Sequence, residues 1–157
     1  GASTGGFTQV LIDQGAKKVF CVDVGKDQLH AILKDNPKTV NLEKTHVREL
    51  TNQLITEQID GCVIDVSFIS LEKIFPFIHS FIQPGGFVIA LVKPQFEVGK
   101  KNIGKGGIVR DTKLYSVVLE NVKQWGLSNN LDYQKHTTSP ILGGDGNREF
   151  LMLFAKK

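Results

Sequence analysis

Gly1-Ala2-Ser3-Thr4-Gly5-Gly6-Phe7-Thr8 sets three glycines and the hydroxyl residues Ser3 and Thr4 directly before the apolar-periodic positions Phe7, Val10 and Leu11. Glycine has no Cβ, so backbone here approaches a ligand closely, and the unpaired N–H groups of a first helical turn are ready donors. The stretch therefore reads as a ligand-cradling turn that feeds a helix. In doubly wound α/β folds such a turn follows a buried apolar strand. The expectation is that such a strand precedes Gly1 and that the chain is the C-terminal part of a longer protein.

Outward from that turn, strand-like and helix-like stretches alternate. Lys18 to Val22 is a short apolar run ending at Asp23, and Leu29 to Leu33 reads as a weak helix. Thr39 to Leu42 is the next strand, followed by a polar helical stretch from Arg48 to Gln58. Gly61-Cys62-Val63-Ile64-Asp65-Val66 is apolar but for one acid, as a strand buried on both faces requires. Leu71, Ile74, Phe75, Ile78, Phe81 and Ile82 have helical spacing, and Pro84-Gly85-Gly86 supplies a turn before the strand Phe87 to Val92. A long loop, Lys93 to Asp111, precedes an amphipathic helix marked by Leu114, Val117, Val118, Val122 and Trp125. Two strand candidates close the chain, Tyr133 to Thr138 and Glu149 to Phe154, with no helix between them. The pattern predicts an α/β fold of the Rossmann type, a mostly parallel doubly wound sheet with an antiparallel last strand.

At 157 residues with 41% apolar composition, the chain is sized for one domain, residues 1–157, with a substantial core. The apolar run Phe87 to Val92 is far shorter than a membrane span, and no basic-then-apolar leader is present, so a soluble protein is expected. Cys21 and Cys62 lie in strand-like runs without ligand spacing, which predicts buried reduced thiols, no metal site and a cytoplasmic location. The net charge of +3 is uneven: Lys93 to Lys113 holds six basic and two acidic residues. Lys100, Lys101, Lys105 and Arg110 in this glycine-rich segment suit phosphates, with a solvated loop as the plain alternative.

Asp23 ends the second expected strand, where nucleotide binders place an acid on ribose hydroxyls; the bland reading is an acid that caps the next turn. The glycine pattern is not the GxGxxG of nicotinamide enzymes and suits a ligand without a pyrophosphate, such as S-adenosylmethionine. Asp65 and Lys93 each end a buried strand. A charge there needs a partner or a ligand, and ligands of open α/β sheets bind outside the carboxyl ends of the strands. A simple buried ion pair is the alternative. If the last strand runs antiparallel, Glu149 at its start joins the same rim, and two carboxylates would then flank one lysine. The histidines lack ligand spacing: His30 reads as helix surface, and His46, His79 and His136 as structural or exposed. Ser67 and Ser70 lack a His–Asp partner pattern, and Phe68, Phe75, Phe77 and Phe81 read as core.

Taken in order, Gly-Ala-Ser-Thr-Gly-Gly-Phe-Thr (1–8), Val-Asp-Val-Gly (22–25), Ile-Asp-Val-Ser-Phe-Ile-Ser-Leu (64–71), Leu-Val-Lys-Pro-Gln-Phe-Glu (91–97), Gly-Lys-Gly-Gly-Ile-Val-Arg-Asp (104–111) and Gly-Asn-Arg-Glu-Phe-Leu (146–151) resemble the hemolysin A (TlyA) family. The resemblance implies an FtsJ-like methyltransferase domain preceded by an S4-type RNA-binding domain. It implies methylation of ribose 2′-hydroxyls in ribosomal RNA or ribosomal subunits with S-adenosylmethionine as cofactor. Of the family's Lys-Asp-Lys-Glu tetrad, the last three map onto Asp65, Lys93 and Glu149, and the first lysine has no counterpart in this chain. The cofactor set becomes Gly1, Ala2, Ser3, Thr4, Gly5, Gly6, Phe7, Asp23, Val24, His46, Val47 and Asp65. At His46 the family usually has asparagine, which bears on the adenine contacts. An isolated fragment lacking the first strand and that lysine is expected to be inactive alone.

The reaction expected is displacement by a ribose 2′-oxygen at the sulfonium methyl, with Lys93 as neutral base or stabilising cation, oriented by Asp65 and Glu149. Its rivals are a membrane-active hemolysin-like protein, a nicotinamide-dependent oxidoreductase and a non-catalytic RNA-binding module. The first lacks a span-length apolar segment, and the second is disfavoured by the glycine turn.

Overall fold

In the computed structural model, which describes residues 1–157, the alternating stretches resolve into two units, Gly1–Glu57 and Gln58–Lys157. The first contains helix α1 (Gly6–Asp13), strand β1 (Val19–Val22), helix α2 (Ala31–Lys34) and strand β2 (Thr39–Leu42). The two strands pair in parallel, from Val19 opposite Thr39 to Val22 opposite Leu42. Cys21, Leu29 and Leu33 form the core, with Ala2, Ile12 and Val19 packed against them. Burial of the Cys21 thiol raises its pKa, opposed by a contact with the Thr8 hydroxyl.

The second unit contains β3 (Ile59–Ile64), α3 (Phe75–Ile78), β4 (Ile82–Val92), α4 (Lys113–Ser128), β5 (Leu131–Thr138) and β6 (Phe150–Lys156), and its sheet order is β3-β4-β6-β5. β3 and β4 are parallel, whereas β6 runs antiparallel to both β4 and β5. The antiparallel finish follows from the short connection before β6, since a parallel return needs a long crossover. Period-2 alternation places Val88, Ala90 and Val92 of β4 and Phe150, Met152 and Phe154 of β6 in the core. The Phe75 ring meets Phe154 edge-on at 5.5 Å, and Tyr115 of α4 meets Phe150 in the same way at 5.5 Å. Since Phe150 and Phe154 share one face of β6, α3 and α4 cover that face. Burying each such side chain contributes about 1.5–3 kcal/mol.

The architecture is the expected α/β type with an antiparallel last strand, and the local differences have physical causes. The helix expected from Arg48 to Gln58 is a single 3-10 turn, Val47–Glu49, ended by Leu50 in extended conformation. Thr51 and Asn52, poor helix formers, follow it. The helix expected from Leu71 begins as a 3-10 turn, Leu71–Lys73, and α3 has only four residues. Pro76 is tolerated only in a first helical turn, so the helix has to restart there. Pro84-Gly85-Gly86 does not precede the strand but bulges within β4: Ile59 faces Ile82, yet Gly61 faces Phe87. Phe68 and Phe77, expected in the core, are 91% and 41% exposed, whereas Phe75 is fully buried. His30 lies at the start of α2, where its Nδ1 accepts the Ile32 N–H.

Candidate active site

In the first unit the glycine turn is built on Gly5, whose φ of 102° is reached cheaply only by glycine. Ser3 also adopts positive φ, at 49°. The Ala2 N–H donates to the Val22 carbonyl, so the turn is anchored beside the end of β1. Asp23 reinforces the anchor: its Oδ2 accepts the Ser3 N–H at 2.7 Å and its Oδ1 the Gly25 N–H at 2.7 Å. The turn-capping role foreseen as the bland reading is therefore present, and Asp23 is also tied to the glycine turn. Val24 beside it is 67% exposed. His46 and Val47 lie at the 3-10 turn after β2, where the Arg48 N–H donates to His46 Nδ1 at 3.1 Å and the His46 N–H donates to Glu49 at 2.9 Å. An asparagine could serve the same cap.

Sequence reading passed over Glu43 in this unit. Its carboxylate accepts the Asp27, Gln28 and Leu29 N–H groups at 2.9, 2.9 and 3.3 Å and stands 3.6 Å from Lys34 Nζ. Burial alone would raise its pKa, but these partners outweigh it and hold the carboxyl at about 2. The loop that follows Asp23 is thereby pinned to the end of β2.

In the second unit the strand directions bring three polar residues to one rim. Asp65 follows the end of β3, Lys93 follows the end of the parallel β4, and Glu149 precedes the antiparallel β6, whose Phe150 faces Val92. Lys93 Nζ lies 2.5 Å from Asp65 Oδ1 and donates to Ser67 Oγ at 3.1 Å. Lys93 is largely buried, with 14% of its side chain exposed against 37% for Asp65. Glu149 is buried, and burial raises its pKa; Lys93 and a hydrogen bond from the Gln95 amide oppose that, while Asp65 adds to it. The three residues chosen from strand ends thus form one charge cluster.

Other polar residues of this unit, not singled out from sequence, are also buried or bonded. Gln95 is buried and lowers the Glu149 pKa. Glu97 accepts the Leu71 N–H at 3.0 Å, and burial raises its carboxyl pKa, opposed by Ser70 and that N–H. Asn147, 2% exposed, accepts the Val109 N–H and donates to the Gly107 carbonyl, each at 3.0 Å. β4 ends at Val92, and Pro94–Phe96 form a 3-10 turn in which Pro94 and Gln95 are both buried, so no alternation along the sequence marks these polar residues. Phe68, next to Ser67, adopts φ 64° and rests its ring 5.1 Å from Phe96.

Lys100, Lys101, Lys105 and Arg110 are all exposed and form no ion pairs. Lys101 and Arg110 line a hollow of about 270 Å³ with Asn102 and Asp111. Both cysteines are free, and burial pushes the Cys62 thiol up to about 11. No group of three His, Cys, Asp or Glu side chains is placed to hold a metal ion, and no helix is long and apolar enough to cross a membrane.

Residues 1–156 match the model of the FtsJ-like methyltransferases. The chain is 42% identical over 153 residues to YqxC of Bacillus subtilis, provisionally named an rRNA methyltransferase, covering 97% of this chain and 54% of that one. It is 40% identical over 152 residues to the 16S/23S rRNA (cytidine-2′-O)-methyltransferase TlyA of Mycobacterium tuberculosis, covering 97% and 57%. A solved Lactococcus lactis structure, provisionally described as a hemolysin, is 38% identical with a TM-score of 0.95, covering 100% of this chain and 76% of that one. The chain spans a little over half the length of these two curated relatives.

Proposed function

The chain belongs to the FtsJ-like methyltransferase family, and from that premise we propose that it transfers a methyl group from S-adenosylmethionine to a ribose 2′-hydroxyl of ribosomal RNA. The substrate rests on the name of the TlyA relative. Ribosomal subunits as partner and the cytoplasm as location follow from the same reading. The observation that carries it is the buried Lys93 held between Asp65 and Ser67, with Glu149 beside it.

The first unit has features that fit the cofactor. A side chain on Gly6 would meet nothing within 4 Å, so the backbone at the start of α1 is open to a ligand. The N–H groups there suit the methionine carboxylate. Each Asp23 oxygen keeps acceptor capacity beyond its one N–H bond, as two ribose hydroxyls require. Val24, His46 and Val47 would flank the adenine, and Gly1 to Phe7 the methionine end. The cofactor supplies an electrophilic methyl carried on a sulfonium.

A 2′-hydroxyl is a weak nucleophile at neutral pH, so its proton has to be taken or its developing charge offset. Lys93 would do this at the attacking oxygen, as a base that takes up the hydroxyl proton or as an ammonium that offsets the charge while water takes the proton. Asp65 and Ser67 fix the direction of Nζ. Lys100, Lys101, Lys105 and Arg110 would meet RNA phosphates.

Transfer of labelled methyl to ribosomal subunits by the intact protein tests this. Lys93→Ala is expected to lower the rate by ~10²–10⁴-fold, the range for a positioned proton-transfer group. A rate equal to that of the unaltered protein would remove Lys93 from the mechanism.

A further inference from the structure

Asn147, 2% exposed, lies in the connection before β6, two positions ahead of Glu149. Its side-chain amide directs both polar atoms at one distant stretch of backbone. Oδ1 accepts the Val109 N–H and Nδ2 donates to the Gly107 carbonyl, each at 3.0 Å. The amide thereby brackets Ile108, whose backbone is extended, much as a neighbouring strand would. Its own main-chain carbonyl accepts the Gly143 N–H at 2.9 Å, so Asn147 is held from the other side as well.

The stretch held in this way is glycine-rich and basic. Gly106 and Gly107 adopt φ of 80° and 78°, which other residues reach only with strain, and the Gly104 N–H donates to the Ile108 carbonyl at 2.9 Å to close the loop. Val109 is buried, and the Tyr115 hydroxyl of α4 donates to its carbonyl at 3.1 Å. Both polar groups of the Val109 backbone are therefore bonded, and the exposed Arg110 that follows starts from a fixed point. A Cβ on Gly104 would stand 3.3 Å from Arg110 Nε, so that side chain lies back along the loop, and with Lys101 it lines the hollow of about 270 Å³. Asp111, the acid of the hollow, is engaged by the Lys113 N–H at 3.0 Å. Opening the loop would leave a buried donor and a buried acceptor of Asn147 unpaired, which favours the closed form.

We propose that Asn147 is a positioning residue for RNA binding: its amide pre-orders the loop from Gly104 to Arg110, so that Arg110, with Lys101 across the hollow, is set to receive a backbone phosphate. This rests on the function proposed above. A mobile cation has to be ordered at the moment of binding, and a loop already fixed by buried hydrogen bonds removes much of that cost. Only Arg148 separates Asn147 from Glu149. The connection that fixes the phosphate contact therefore leads directly to the rim, which sets the register of the RNA backbone against the reacting ribose.

The test measures binding of ribosomal subunits to the intact protein over a series of KCl concentrations at fixed magnesium. Arg110→Gln is expected to weaken binding by about tenfold and to reduce the slope of log K against log salt by about 0.7–0.9, the value of one phosphate contact. Asn147→Ala removes no charge, yet should reduce the slope by a similar amount, and the two effects should not add in the double variant. A merely structural role would lower the fraction of folded protein and leave the slope unchanged. Gly107→Ala is the second variant: its Cβ would meet open space, but the positive φ strains the loop without reaching the core, and the same loss of slope is expected. An unchanged slope in Asn147→Ala and Gly107→Ala beside a reduced one in Arg110→Gln overturns the proposal and leaves the phosphate contact standing. An unchanged slope in Arg110→Gln overturns the contact and its positioning together. Reduced slopes in all three, in a protein that transfers no methyl group to those subunits, would instead leave the positioning intact and overturn the proposed reaction.

Discussion

Glu43 and Glu149 are the same residue type with opposite proton affinities. Burial pushes both upward, but Glu43 collects three backbone N–H groups and a lysine and is held at about 2, whereas Glu149 has one amide donor, one cation and a competing acid and stays raised. The difference teaches that the number of donors facing a carboxylate, not burial alone, decides which way it moves. It also separates their uses. A carboxylate saturated by backbone is a fixture of the fold, and an under-supplied one remains able to respond to its surroundings.

The largest expected effect that sharpens this contrast is on activity. Glu149→Gln should cut methyl transfer by ~10²-fold or more in the same subunit assay, within the range of positioned catalytic groups, yet leave Tm at pH 7 equal or higher. The sign follows from the raised folded-state pKa: the favourable contribution of protonated Glu149 is present below the unfolded pKa and lost as pH rises through the folded one. A marked fall in Tm with this neutral isostere would break the comparison. Glu43→Gln should act in reverse, lowering Tm at neutral pH by several degrees. Glu43's folded pKa is depressed, so its contribution is present above the unfolded pKa near 4.5 and lost as pH falls toward about 2. Melting curves from pH 7 to 3 should therefore converge for the variant and the unaltered protein; a constant gap would show that something other than ionisation is at work. The smallest effect belongs to Lys34→Met. Lys34 acts on Glu43 after the three N–H groups and also pairs with exposed Asp27, and exposed pairs contribute little. Tm should barely move, and a fall as large as that of Glu43→Gln would shift the credit from the backbone donors to the lysine.

Much of the fold was legible because burial imposes periodicity. The strand Thr39–Leu42 has the bounds read from sequence, and α4 and β6 differ from their expected spans by only a few residues. The misreadings share one cause. Helical spacing at Leu71 to Ile82 and Arg48 to Gln58 says which residues face inward, but Pro76 and the Thr51-Asn52 pair decide whether the backbone can follow. Hydrophobicity alone places Phe68 in the core, yet a left-handed backbone turns it outward against Phe96.

Within the candidate site, the charged residues at strand ends could be named in advance because an ionisable side chain that ends an apolar run has few inexpensive explanations. Their supports could not. Gln95 lies 54 positions from Glu149, and Asn147 bonds residues 38 and 40 positions away. An amide in a sequence carries no sign of its partner, since its donors and acceptor suit almost any polar group.

By itself, then, the sequence determined the class of elements, their order, the glycine-dependent turn before α1 and the identity of the charges at the rim, because each follows from local sterics or from the cost of burying a charge. Only the tertiary structure decided how many donors each carboxylate receives. That number depends on which distant backbone and amide groups the strand pairings and loops bring alongside, and it is what gives Glu43 and Glu149 their opposite characters.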